Sequence, residues 1–126
     1  MKKRVLIIED NEKNMRLEQD LLESGGFEVL VATDGASGIV LVHKEKPDAI
    51  VMDVRLPGMR GTEVARRLRE EPESRDIPII FVTASVVGEG MEEIRAIPNT
   101  MFLAKPINTR TFAQEVNRCV LGGSHG

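Results

Sequence analysis

Glu9 and Asp10 directly follow an apolar run at residues 5–8, and Asp53 closes a second run at residues 49–52. Thr83 ends another, with small Ala84 beside it, and the last run gives way to Lys105 and Pro106. Three carboxylates brought together would repel one another and raise one another's pKa values unless a cation lay between them. An all-oxygen donor set with room for water suits Mg²⁺, which holds octahedral geometry and keeps part of its hydration shell. Such an ion would bridge Asp53 to a phosphoryl oxygen and offset the charge that develops in transfer. Lys105 would neutralise a second oxygen as a point charge, and Thr83 could donate a hydrogen bond to a third. Asp53 is then the natural nucleophile, because a carboxylate can form an acyl phosphate. Singly, these residues have plainer readings: Asp10 or Asn11, for instance, would serve as a helix cap. Together, at the ends of matching runs, they point to a site.

These side chains converge only if the intervening chain folds to bring them together. Five short runs, at residues 5–8, 27–32, 49–52, 77–82 and 100–104, are almost continuously apolar, as expected of strands covered on both faces. Segments with helical spacing lie between them. Met15, Leu22 and the pair Leu17/Leu21 line one side of a helix after Asn11. Val64, Ala65 and Leu68 do so after Thr62, read as an N-cap, and Phe112, Val116 and Val120 after Asn108. Residues 36–46 are ambiguous, since Ile39-Val40-Leu41-Val42 would pass for a strand. Asp34-Gly35 and the alternation elsewhere make that segment a helix. Strand and helix thus alternate into a doubly wound α/β domain with a parallel sheet and right-handed crossovers. Ligands of such sheets bind beyond the carboxyl ends of the strands, which is where the five polar residues fall.

The bulk properties exclude several classes. At 126 residues the chain fits one domain, and a net charge of −3, with no basic block longer than Lys2-Lys3-Arg4, argues against a nucleic-acid surface. Four Phe and no Trp or Tyr also disfavour base stacking. The single Cys119 rules out an internal disulfide and reads as core filling. The apolar start at residues 5–8 is too short for a signal peptide, and no stretch approaches the ~20 apolar residues of a membrane span. A cytoplasmic, soluble location is expected. Residues 1–121 read as the domain, and 122–126, Gly-Gly-Ser-His-Gly, as a flexible tail or linker remnant. His43 is placed on a solvated helix face, the charged run 66–76 on a solvated helix end and loop, and Met52, Met59 and Met101 in packing.

Four strings in order, Val5-Leu6-Ile7-Ile8-Glu9-Asp10-Asn11, Ile50 through Met59, Ile80-Phe81-Val82-Thr83-Ala84 and Leu103-Ala104-Lys105-Pro106, resemble the receiver domains of two-component response regulators. The resemblance covers residues 4 to about 121. Glu9-Asp10-Asn11 with Asn14 resembles single-domain cell-cycle regulators and the receivers of hybrid sensor kinases. It implies a flavodoxin-like (βα)5 fold with strand order 2-1-3-4-5. It makes Asp53 the phosphoacceptor, with Glu9, Asp10, Asp53 and the backbone carbonyl of Arg55 holding Mg²⁺. Thr83, Ala84 and Lys105 would contact the phosphoryl group, Phe102 would stand at the aromatic switch position, and Lys105-Pro106 would be a cis peptide. The implied function is a phosphorelay switch rather than an enzyme, beyond its own phosphotransfer and slow self-dephosphorylation. The implied partners are a histidine kinase or histidine phosphotransfer protein, and a downstream protein on the face of helix 4, strand 5 and helix 5. Neither nucleic acid nor membrane is implied.

The sequence departs from that pattern in places. Glu9 replaces the commoner Asp, leaving open direct or water-mediated metal contact. Arg55 puts a long cation at the mouth, where it would shield an acyl phosphate or pair with Glu9. Ile97-Pro98-Asn99 replaces the usual Gly-Ala before the fifth strand. Gly88, Gly90 and Pro98 give residues 86–99 the composition of a weakly stable segment, expected to gain order on activation. Two other functions share some of these residues. A phosphatase of the haloacid dehalogenase type also uses Asp, Mg²⁺, Thr and Lys, but places its nucleophile on the first strand with a second Asp two residues on; here Arg55 stands there. A receiver-fold binding module without phosphotransfer would have no need for all five site residues.

Overall fold

The computed structural model describes residues 2–84 and 89–122. Five strands, β1 (Arg4–Ile8), β2 (Glu28–Ala32), β3 (Ala49–Asp53), β4 (Ile79–Thr83) and β5 (Thr100–Ala104), form one parallel sheet in the order β2-β1-β3-β4-β5. Five helices alternate with them: α1 (Glu12–Ser24), α2 (Gly35–Glu45), α3 (Gly61–Arg69), α4 (Glu89–Ala96) and α5 (Phe112–Gly122). The ambiguous segment is therefore the helix α2, opened by Asp34, whose carboxylate accepts the Ser37 N–H at 2.7 Å. Helix α5 runs to Gly122, one residue past the expected domain end, and the rest of the expected tail lies outside the described residues.

Successive strand residues face opposite sides, and each side has its own core. Leu6, Ile8, Ile50, Met52, Ile79 and Phe81 pack with Val64 and Leu68 of α3 and with Met91 and Ile94 of α4. Val5, Ile7, Val51, Ile80 and Val82 pack with Leu22 of α1 and with Phe112 and Val116 of α5. Cys119 joins this second core, as its helical position suggested. The central strands β1, β3 and β4 are covered on both sides and need no polar alternation, whereas the edge strands β2 and β5 keep exposed apolar positions such as Val31 and Met101.

Several local expectations change. Thr62 is buried inside α3 rather than capping it; Arg60 occupies the N-cap and makes no side-chain cap bond. Leu17 faces outward and Glu18 inward, because Met15, Glu18 and Leu22 at i, i+3 and i+7 define the buried stripe of α1. Met101 is exposed on the edge strand β5, whereas Met52 lies in the core. His43 is half-buried, with Nε2 3.3 Å from Glu71 and Nδ1 3.5 Å from Glu73.

The charged run 66–76 is also more than a solvated loop. Ser74 is fully buried and donates to Leu68 O at 2.5 Å. The Arg69 guanidinium donates to Ser74 O, Ile77 O, Pro98 O and Asn99 O, fastening the chain on both sides of β4. Thr100 Oγ1 donates to Ile94 O and Ile97 O at the end of α4. Ile97-Pro98-Asn99 is thus anchored by Arg69, with Ile97 buried and Asn99 in a left-handed conformation (φ 58). Of the segment expected to be weakly stable, residues 86–88 lie outside the described residues, whereas the part after Met91 is well fastened.

Candidate phosphoacceptor site

Each site residue owes its place to a strand that ends at the same edge. Glu9 leaves β1 with its N–H bonded to Ala32 O at 3.0 Å, which fixes the start of the β1–α1 loop. Asn11 then caps α1, its side chain accepting the Asn14 N–H at 3.0 Å, so the cap is Asn11 rather than Asp10. Asp10 stays exposed and available. Asp53 is the last residue of β3, and its Oδ1 accepts the Arg55 N–H at 2.9 Å, which turns the chain across the mouth. At Gly61 a Cβ would lie 2.4 Å from Asp53 O, so only glycine lets α3 start this close to the strand end. Lys105 follows β5 and bonds through its N–H to Thr83 O at 2.8 Å. The Lys105-Pro106 peptide is cis, as expected.

The ammonium of Lys105 reaches over β4. Nζ donates to Asp53 Oδ2 at 2.8 Å and to Glu9 Oε1 at 3.3 Å. Glu9 is 1% exposed, and its other oxygen accepts the Asn11 N–H at 3.2 Å. Glu9 thus pairs with Lys105 rather than with the exposed Arg55. Ligand atoms of Glu9, Asp10 and Asp53 lie within 4.8 Å of one another. Thr83 is buried beside exposed Ala84, and Phe102 is half-buried against the core that includes Met91 and Ile94.

The electrostatics follow from this crowding. Burial pushes the Glu9 carboxyl above its usual range; the Asn11 hydrogen bond draws it down, the Asp53 charge pushes it up, and Lys105 draws it down again. Burial alone would lower Lys105, but the hydrogen bond and charge of Asp53, with those of Glu9, hold its ammonium above the ordinary value. Close by, Glu18 was not anticipated. It is 3% exposed, and burial, reinforced by the charges of Glu9 and Asp53 against that of Lys105, pushes its carboxyl up to about 8. Gly61 was missed as well. The spacing Met15, Glu18, Leu22 and a glycine at the first helical position were the available signals.

A parallel sheet in this order, with a carboxylate trio and a lysine at its carboxyl edge, defines a receiver domain. Residues 5–117 match the family model of the response regulator receiver domain, and the chain belongs to that family. It is 38% identical over 116 residues to the polar-differentiation response regulator DivK of Brucella anthropi, covering 92% of this chain and 94% of that protein. Among solved structures it is similar to the chemotaxis response regulator CheY4 of Vibrio cholerae (TM-score 0.88, 28% identity, 94% and 99% of the two chains). It is also similar to the receiver domain of sensor histidine kinase PA1611 from Pseudomonas aeruginosa, which has a magnesium ion coordinated in its active site cleft (TM-score 0.87, 28% identity, 95% and 98% of the chains). The chain is therefore a phosphorylation-switch domain of two-component signalling, and its family is one of switches rather than of classical enzymes. Among the described residues, no helix is long and apolar enough to cross a membrane.

Proposed function

We propose that Asp53 accepts a phosphoryl group from the phosphohistidine of a histidine kinase or histidine phosphotransfer protein. A P–N bond breaks, an O–P bond forms to Asp53, and the imidazole leaves neutral after taking up a proton. The observation that carries this reading is the contact of Lys105 Nζ with Asp53 Oδ2 at 2.8 Å, beside carboxylates gathered within 4.8 Å. The donor set is all oxygen, with no sulfur or imidazole, which fits Mg²⁺. Asp10, Asp53, Glu9 and the Arg55 carbonyl are the residues that would hold it. When bound, the ion supplies charge neutralisation for the transferring group.

The chain's own residues do the rest. Lys105 offsets charge on Asp53 and, after transfer, on the phosphoryl oxygens. Thr83, with small Ala84 leaving room, contacts the same group, and Phe102 repacks to follow Thr83. The α4–β5–α5 face then binds a downstream protein with altered affinity. We read the chain up to the end of α5 at Gly122 as the receiver unit and the residues after it as a flexible tail or linker remnant, in a cytoplasmic protein. The nucleophile's place at the end of β3 fits this reading and not the haloacid dehalogenase pattern. Intact mass after treatment with acetyl phosphate and Mg²⁺ tests the proposal. The wild type gains one phosphoryl group, and Asp53→Asn gains none; equal labelling of both proteins overturns the assignment.

A further inference from the structure

Phosphoryl transfer as described leaves one buried acid on α1 without a task. Glu18 is 3% exposed on the inward face of the helix, where Met15 and Leu22 mark an apolar stripe. Among the described residues it has no hydrogen-bond or ion-pair partner, and only burial and more distant charges act on it. A leucine would satisfy the same position at lower free energy, since a buried unpaired carboxyl loses its hydration with nothing in return. Neither carboxyl oxygen of Glu18 is sealed from solvent without a partner, so the little surface it keeps is at its polar end.

That end opens on a cleft of about 420 Å³ between α1 and the segment after β5, walled by Leu17, Val82, Pro106 and Ile107. Lys105 borders the same cleft but is committed to Asp53 and Glu9. Glu9 and Asp53 take up that ammonium, and Asp10 and Glu18 add further acidic groups to the neighbourhood, the charges of Glu9, Asp53 and Lys105 all reaching Glu18. An occupant suited to these walls has an aliphatic stem and a cationic tip. A guanidinium fits better than an ammonium, because it is more weakly hydrated and pairs with a carboxylate through two parallel hydrogen bonds. Long basic side chains lay their methylenes on apolar surface in this manner.

We propose that the cleft receives an arginine side chain from the protein that covers the phosphoacceptor mouth, its stem on Leu17 and Ile107 and its guanidinium on Glu18. The source of the arginine rests on the phosphoacceptor reading; the chemistry of the cleft does not. A carboxyl poised near 8 releases its proton readily once a cation arrives, so the charge is buried only together with its partner.

The test uses n-butylguanidinium chloride, titrated into the full chain with saturating Mg²⁺ and followed by amide chemical shifts, with sodium chloride at equal ionic strength as reference. Saturable shifts at Leu17 and Ile107 are expected in the wild type. Binding should weaken at least tenfold in Glu18→Leu and in Glu18→Gln, which keeps the shape but not the charge. Equal responses in all three proteins, no saturation, or shifts confined to Asp10 and Asp53 overturn the proposal. Equal binding of n-butylammonium overturns the choice of arginine. Acetyl phosphate labelling of the same wild-type sample reports separately on Asp53.

Discussion

Lys105 Nζ lies 2.8 Å from Asp53 Oδ2, joining the ends of β5 and β3 over the top of β4. The pair is partly shielded, with side chains 23% and 13% exposed, so its attraction is screened less than that of a surface pair. The same ammonium competes with any metal for the Asp53 carboxylate. Lys105→Ala is therefore expected to fold, to bind Mg²⁺ severalfold more tightly, and to lose the change in partner affinity on phosphorylation. Calorimetric titration of Mg²⁺ and of a partner checks both parts. An unchanged phosphorylation-dependent shift in partner affinity would count against a signalling role for Lys105.

Asp10 is the exposed member of the carboxylate trio and forms no ion pair among the described residues. Asp10→Asn should weaken Mg²⁺ binding by about tenfold or more while barely altering stability, because little packing is lost. Identical metal affinity in the two proteins would place the ion elsewhere.

Glu18 makes stability depend on pH in a definite direction. Its carboxyl is raised from 4.5 to about 8 on folding, so the folded protein holds a proton that the unfolded chain releases. Its contribution is fully present below about pH 4.5, falls as pH rises, and is lost above about 8. Glu18→Leu removes that dependence. The variant should be more stable at pH 8 by about 1–4 kcal/mol, with the gap narrowing towards acid pH. Urea melts of both proteins at several pH values check this. A gap that stays constant from pH 4.5 to 8 would show that Glu18 is not the group responsible.

Gly61 holds α3 against the end of β3. Its Cβ-substituted form would press within 2.4 Å of Asp53 O, so Gly61→Ala must displace either α3 or the end of β3. We expect a loss of about 1–3 kcal/mol and markedly slower labelling by acetyl phosphate. Thermal melts and labelling rates that match the wild type would contradict the close approach.

The sheet was readable because strands buried on both faces leave unbroken apolar runs, and their polar terminators mark the mouth. Asn11 and Asp34 also signalled their helices correctly through side-chain capping. What escaped depends on contacts between distant segments. Thr62 looks like a cap, but α3 already begins at Gly61, packed against the end of β3, and the N-cap position falls to Arg60. Arg69 reads as one more surface charge until four carbonyls from two loops are seen around it. Glu18 was passed over because an apolar stripe is sought among apolar residues, and Leu17 was counted in its place. The pairing of Glu9 with Lys105 spans 96 residues, and no local pattern specifies it.

Reductive trapping tests the assignment of Asp53 most directly. After incubation with acetyl phosphate and Mg²⁺, borohydride reduces an aspartyl phosphate to homoserine, and peptide mass mapping locates the change. We predict homoserine at position 53 alone, and none when Mg²⁺ is withheld. Homoserine at position 10, a reduced glutamyl phosphate at position 9, or phosphate recovered on Thr83 with Asp53 intact would contradict the central claim.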